Sequence, residues 1–123
     1  MKAEAAAQPA ELHVRRASRR LDVRYEGGAE WQLPAEYLRV ESPSAAVQGH
    51  APDQKKIVGG KRGVNIAAVE PVGHYAVRIR FDDGHDTGIY TWDYLHRLGE
   101  EQDARWAAYL EALQERGLSR DSA

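Results

Sequence analysis

The run Phe81-Asp82-Asp83-Gly84-His85-Asp86-Thr87-Gly88-Ile89-Tyr90-Thr91-Trp92-Asp93-Tyr94-Leu95 limits the possible folds more than any other stretch of the chain. Ahead of it, Tyr75, Val77, Ile79 and Phe81 alternate with Arg78 and Arg80, the period-2 pattern of a half-buried strand. Asp83-Gly84 falls where a hairpin needs a residue that accepts positive φ. Thr87 to Tyr90 then makes the return strand. Thr91 suits a helix N-cap, since its hydroxyl can accept from an otherwise orphaned amide of the first turn. Trp92 and Leu95 share one side of that helix, and Asp93 sits near the positive end of its dipole. Strand, turn, strand and helix therefore follow within a short span.

Upstream, Leu12 and Val14, then Leu21, Val23 and Tyr25, alternate with polar residues. Gly27-Gly28 closes that strand, and Trp31-Gln32-Leu33 returns beside it as a hairpin. Pro34 opens a single helical turn that delivers Leu38 and Val40 to the core. From Glu41 to Gly63 the periodicity dissolves into Ser, Pro, Gly and Lys, a length of loop that in a small domain tends to be functional or mobile. Val64 and Ile66 restart a strand, and Pro71-Val72-Gly73 turns the chain. Gly99 is expected to end the helix opened by Thr91. A second helix over Glu100 to Arg116 carries Trp106, Tyr109, Leu110 and Leu113 as one stripe, with Gly117 at its C-terminal cap. The predicted class is α+β, a small twisted antiparallel sheet with the C-terminal helices packed on it. The single domain spans residues 11–117, between a disordered tail at 1–10 and a frayed one at 118–123.

The 123 residues suffice for one domain, and the chain has one Phe and one Met, so three Trp and six Tyr must supply much of the core. Cysteine is absent, which excludes disulfides, thiolate metal sites and a cysteine nucleophile within this chain. A net charge of −2 argues against binding dominated by nucleic-acid phosphates. No apolar run reaches the roughly 18 residues of a membrane span. A cytoplasmic protein without membrane contact is the expectation.

Four motifs, in this order, resemble one family. They are Leu33-Pro34-Ala35-Glu36-Tyr37-Leu38-Arg39, Ser42-Pro43-Ser44-Ala45, Gly73-His74-Tyr75-Ala76-Val77, and Asp83-Gly84-His85 through Trp92-Asp93-Tyr94-Leu95. Together they are similar to the gamma-butyrobetaine hydroxylase-like N-terminal domain (DUF971), which precedes the catalytic domain of those oxygenases. The domain also stands alone in bacteria or joins iron–sulfur carrier ATPases. The resemblance implies a structural zinc held by three cysteines and a histidine, aligned with Ser42, Ser44, Val47 and His85. Three of these positions have lost their ligand, because neutral hydroxyls bind zinc far less well than thiolates and valine cannot bind it. Without the metal, packing by Val47, Ile57 or Val58 must hold the 41–63 loop, or the loop moves. The oxygenase chemistry belongs to a separate domain and does not carry over.

Three candidate sites remain to be weighed. A zinc or iron site could draw on His85 with Asp83 and Asp86, joined by His50 from the long loop. The same Asp-rich turn is equally a solvated hairpin tip. Lys55, Lys56, Lys61 and Arg62 flank Gly59-Gly60 and could contact an anion or a partner, although they do not form a phosphate-binding P-loop. Arg15, Arg16, Arg19, Arg20 and Arg24 offer a basic stripe with few aromatics, a minor nucleic-acid alternative. No nucleophile–base pair shows itself, so no catalytic residue is assigned and no cofactor is expected. The reading is a non-catalytic accessory module whose partner is another protein, linked to oxygenase or iron–sulfur carrier systems. Its oligomeric state stays open.

Overall fold

In the computed structural model, which describes residues 8–121, six strands form two antiparallel sheets of three. The first holds β1 (Pro9–Arg15), β2 (Arg20–Tyr25) and β3 (Glu30–Pro34). The second holds β4 (Ile66–Val72), β5 (Ala76–Phe81) and β6 (Gly88–Thr91). Between them lie a short helix α1 (Ala35–Val40), the single turn α2 (Ala45–Gln48) and a 3-10 turn at Pro52–Gln54. The helices α3 (Trp92–Glu100) and α4 (Gln102–Glu115) close the chain. The class is α+β, with the strands divided between two sheets instead of sharing one. No helix among the described residues is long and apolar enough to cross a membrane.

One core joins both sheets. Leu21, Val23 and Leu33 from the first meet Ile66, Ile79 and Phe81 from the second, with Leu38, Leu95 and Leu98 from the helices. Alternation in β2 and β5 therefore reports a shared interior. A satellite cluster of Val40, Tyr109 and Leu113 lies under the 41–63 segment, with Ile57 packed against it. Tyrosines do more than fill volume. Their hydroxyls donate across the core, Tyr37 to the Leu98 carbonyl at 2.7 Å, Tyr90 to Leu38 at 2.5 Å and Tyr109 to Val58 at 2.6 Å. Each bond satisfies a buried hydroxyl and ties two distant segments together.

Several boundaries differ from the sequence expectation for identifiable reasons. Pro71 and Val72 belong to β4, because β4 is an edge strand where proline's missing N–H costs nothing. Gly99 lies inside α3 and does not end it; a β-carbon there would stand 2.4 Å from the Trp31 ring, so the glycine admits β3 against the helix. Leu110 is exposed although it shares a stripe with buried Tyr109 and Leu113. Gly117 caps α4 as expected, at φ +67°, with the Leu118 amide donating to Leu113 and the Gly117 amide to Gln114.

The expected tails are also revised. Residues 1–7 lie outside the described residues, and Pro9 and Ala10 already belong to β1. At the other end, residues 118–121 are docked, not frayed. The Gly60 amide donates to Ser119 at 2.8 Å and the Arg62 amide to Arg120 at 3.0 Å. A side chain on Gly59 would collide with the Ser119 carbonyl. Arg120 forks onto the buried Glu36 carboxylate at 2.7 and 2.8 Å. A buried carboxylate needs that partner, and among the described residues only the tail supplies it.

Candidate functional site

The loop after α1 and the β5–β6 connection meet at His85. Glu41 ends α1 and turns the chain so that Ser42 is fully buried, its Oγ 2.9 Å from His85 Nε2. The same Oγ accepts from the Ser44 amide at 3.2 Å. Ser44 in turn N-caps α2 and shares a 2.6 Å hydrogen bond with Thr87 Oγ1. Val47, on α2, is buried. Gly88 makes the approach possible, since a β-carbon there would lie 2.5 Å from Ser42 Oγ and 3.1 Å from the Tyr90 ring. That requirement is invisible in the sequence, where Gly88 is one glycine among eleven.

Charge fixes the neighbouring turn. Asp83 Oδ2 receives Arg39 Nε at 2.8 Å and Lys61 Nζ at 2.6 Å, while Oδ1 accepts from the His85 amide at 3.0 Å. Burial by itself would raise the Asp83 carboxyl, but the bonds from Lys61, the His85 amide and Arg39 prevail and hold it near pKa 2. Burial pushes the His85 imidazole below its ordinary value, with the Arg39 guanidinium adding to the effect. A neutral imidazole is the form that shares a hydrogen bond with a serine hydroxyl while keeping one N–H.

Of the four positions that the resemblance aligns with zinc ligands, Ser42, Ser44 and His85 are linked by hydrogen bonds, and the four residues do not fit a zinc ion. Two are hydroxyls already committed to hydrogen bonds, one is a buried valine, and His85 Nε2 faces Ser42. Hydrogen bonds join Ser42 to His85 and Ser44 to Thr87 across this part of the loop. The loop is held by them, by Tyr109 on Val58 and by the Lys56 amide on the Val47 carbonyl. Among the described residues, no three His, Asp or Glu side chains group closely enough for a metal, so Asp83, Asp86, His85 and His50 do not converge. The His50 amide instead donates to Gln54 Oε1. The Ser42–His85 pair is no nucleophile either. Ser42 has no exposed surface, and Asp83 binds the His85 amide, not its ring.

The basic residues are largely spoken for. Lys55 pairs with buried Glu41, Lys61 with Asp83 and Arg62 with Asp121, while Lys56 is exposed. Arg15 and Arg20 share Asp22, Arg24 binds Glu11, and Arg16 donates to the Ile66 and Ala67 carbonyls. Such pairing lowers the potential that a phosphate backbone would seek.

A groove of about 440 Å³ opens beside this cluster, lined by Pro43, Gln48, Ile89, Thr91, Tyr94, Arg97 and Arg105. The guanidinium carbons of Arg97 and Arg105 lie 5.3 and 5.8 Å from the Tyr94 ring centroid. No single residue type in the sequence marked it, because its walls come from the loop, β6, α3 and α4.

Comparison with known proteins agrees with this architecture. A family model described as gamma-butyrobetaine hydroxylase-like, N-terminal, matches residues 12–96. The chain belongs to that family. A solution NMR structure is 46% identical with a TM-score of 0.82, covering 95% of this chain and 92% of the other. A second NMR structure is 41% identical with a TM-score of 0.81, covering 98% and 90%. A crystal structure from Acidithiobacillus ferrooxidans ATCC 23270, described as a protein of unknown function in the DUF971 family, is 44% identical. Its TM-score is 0.64, over 75% of this chain and 92% of that one. No curated protein matches.

Proposed function

We propose that this member of the family is a non-catalytic accessory module that binds another protein. One observation carries the reading. The one hydroxyl–imidazole pair among the described residues that resembles a reactive dyad, Ser42 with His85, is spent on closing a buried loop, with Ser42 wholly out of solvent. The polar chemistry at the family's ligand positions serves packing, while apolar side chains such as Ile89 and Tyr75 stand in solvent. The family's name and its habit of joining oxygenase and iron–sulfur carrier proteins suggest that the partner belongs to an iron-dependent system.

The test is photocrosslinking in cells, with a benzophenone side chain placed in turn at Tyr75, Ile89, Leu110 and Leu118. The expected result is one discrete adduct whose purified protein then forms a stoichiometric complex with the purified domain. Turnover of a small substrate by the pure protein, abolished by a single substitution, would overturn the reading.

A further inference from the structure

β6 is the outer strand of its sheet, unpaired on one side among the described residues, and the geometry of that edge follows from the register. The Trp92 amide donates to the Tyr75 carbonyl at 3.2 Å, which makes Val77–Tyr90 and Ile79–Gly88 the hydrogen-bonded pairs of the β5–β6 ladder. Ile89, opposite Arg78, is therefore in a non-bonded pair, and its N–H and C=O point away from β5. The sheet ends at β6. The 440 Å³ groove runs along that edge, and exposed Ile89 is one of its walls.

The other edges carry features that discourage pairing. β1 begins at Pro9 and has a register shift between Pro9 and Glu11. β4 has a shift between Ile66 and Ala68 and contains Pro71. β3 ends in Pro34, with Gly99 of α3 packed on its Trp31. β6 pairs with β5 without any shift and contains no proline.

Charge narrows the occupant. The groove is lined by two arginines and no carboxylate. Arg97 spends only Nε, on Asp93 at 3.3 Å. Arg105 spends Nε on Glu101 and Nη1 on Glu41, both at 2.8 Å. Neither Nη group of Arg97 makes a hydrogen bond among the described residues, while Arg105 also faces the Tyr94 hydroxyl. Planar donors stacked on an aromatic ring are well suited to a carboxylate.

We infer that the β6 edge accepts an extended, acidic segment of a partner protein as an added strand. The Ile89 peptide group supplies the backbone pairing, and Arg97 and Arg105 receive an Asp or Glu of the segment. The inference rests on the accessory-module reading and locates its contact.

The experiment is an amide NMR titration with a capped heptapeptide alternating valine and glutamate, against its lysine counterpart. Saturable shifts centred on Ile89, Thr91 and Arg97 are expected from the glutamate peptide alone. Ile89→Pro removes an N–H that the β5 ladder does not use, so the sheet should persist while binding is lost. Arg97→Glu provides a second arm that does not depend on the strand: it should weaken the glutamate peptide at least about tenfold. Equal shifts from both peptides, shifts elsewhere, or none at millimolar peptide overturn the site. Self-association that Ile89→Pro abolishes would assign the edge to a second copy and also overturn it. A purified partner that binds wild type and Ile89→Pro equally would reject this edge while the accessory reading stands.

Discussion

Ser42 Oγ and His85 Nε2 lie 2.9 Å apart and join the loop after α1 to the hairpin that precedes α3. The contact spans 43 residues of sequence and sits where the family's resemblance implies a metal. Here a hydrogen bond between neutral groups holds the loop. His85→Ala should leave the buried Ser42 hydroxyl without its ring partner and cost about 1–3 kcal/mol, read as a lower urea midpoint. Chelator should leave the wild-type midpoint unchanged. The triple variant Ser42→Cys, Ser44→Cys, Val47→Cys puts thiols at the three positions that the resemblance aligns with zinc cysteines. It should bind zinc and unfold at a chelator-sensitive temperature; a triple variant indifferent to zinc would show that these positions do not converge.

Glycines separate close approach from backbone freedom. Gly88→Ala puts a methyl 2.5 Å from Ser42 Oγ, a clash that should cost about 1–3 kcal/mol and shift the His85 ring resonances. Gly84→Ala meets open space but must hold φ +94°, so about 1 kcal/mol is expected without any change at His85. Gly27→Ala has neither problem and should be neutral or slightly stabilising. Equal losses at Gly27 and Gly88 in thermal denaturation would refute the packing argument.

Among the described residues, His85 and the carboxylates Glu11, Asp22, Glu70 and Asp83 all titrate below their ordinary values and link stability to acid. His85 is depressed below its ordinary value of 6.5, so its contribution is complete above that value and falls as protons bind on acidification. Asp83 is lowered from 3.8 to about 2, so its contribution is present above pH 3.8 and disappears as pH falls toward 2. Stability measured against pH should therefore decline in two separate steps. Asp83→Asn should shrink the lower step, leaving the share of Glu11, Asp22 and Glu70, and His85→Gln should remove the upper. A single step unaffected by either substitution would contradict the assignment.

The C-terminal residues should matter more than their position suggests. Truncation after Gly117 removes Arg120 and leaves the Glu36 carboxylate, only 7% exposed, without its bidentate partner. A loss of about 2–4 kcal/mol is expected. Glu36→Gln in the truncated chain should recover part of it, because a neutral amide tolerates burial better. If truncation leaves the denaturation midpoint unmoved, the docked tail contributes nothing to stability.

Local patterns in the sequence were enough for the elements themselves. Alternation in Leu21–Val23–Tyr25 and Val77–Ile79–Phe81 marked strands because one face of each is buried. Thr91 and Gly117 marked helix ends because capping is decided by residues a few positions away. The ordered motifs from Leu33 to Leu95 carried the family, now matched over residues 12–96. Tertiary structure alone decided the rest. Whether six strands form one sheet or two depends on pairings between distant residues, which no local period encodes. Glu36 with Arg120, Tyr109 with Val58 and Gly88 beneath Ser42 are each contacts between remote segments. The groove along β6 has walls from four elements, so its residues share no sequence pattern and acquire a common role only once the chain has packed.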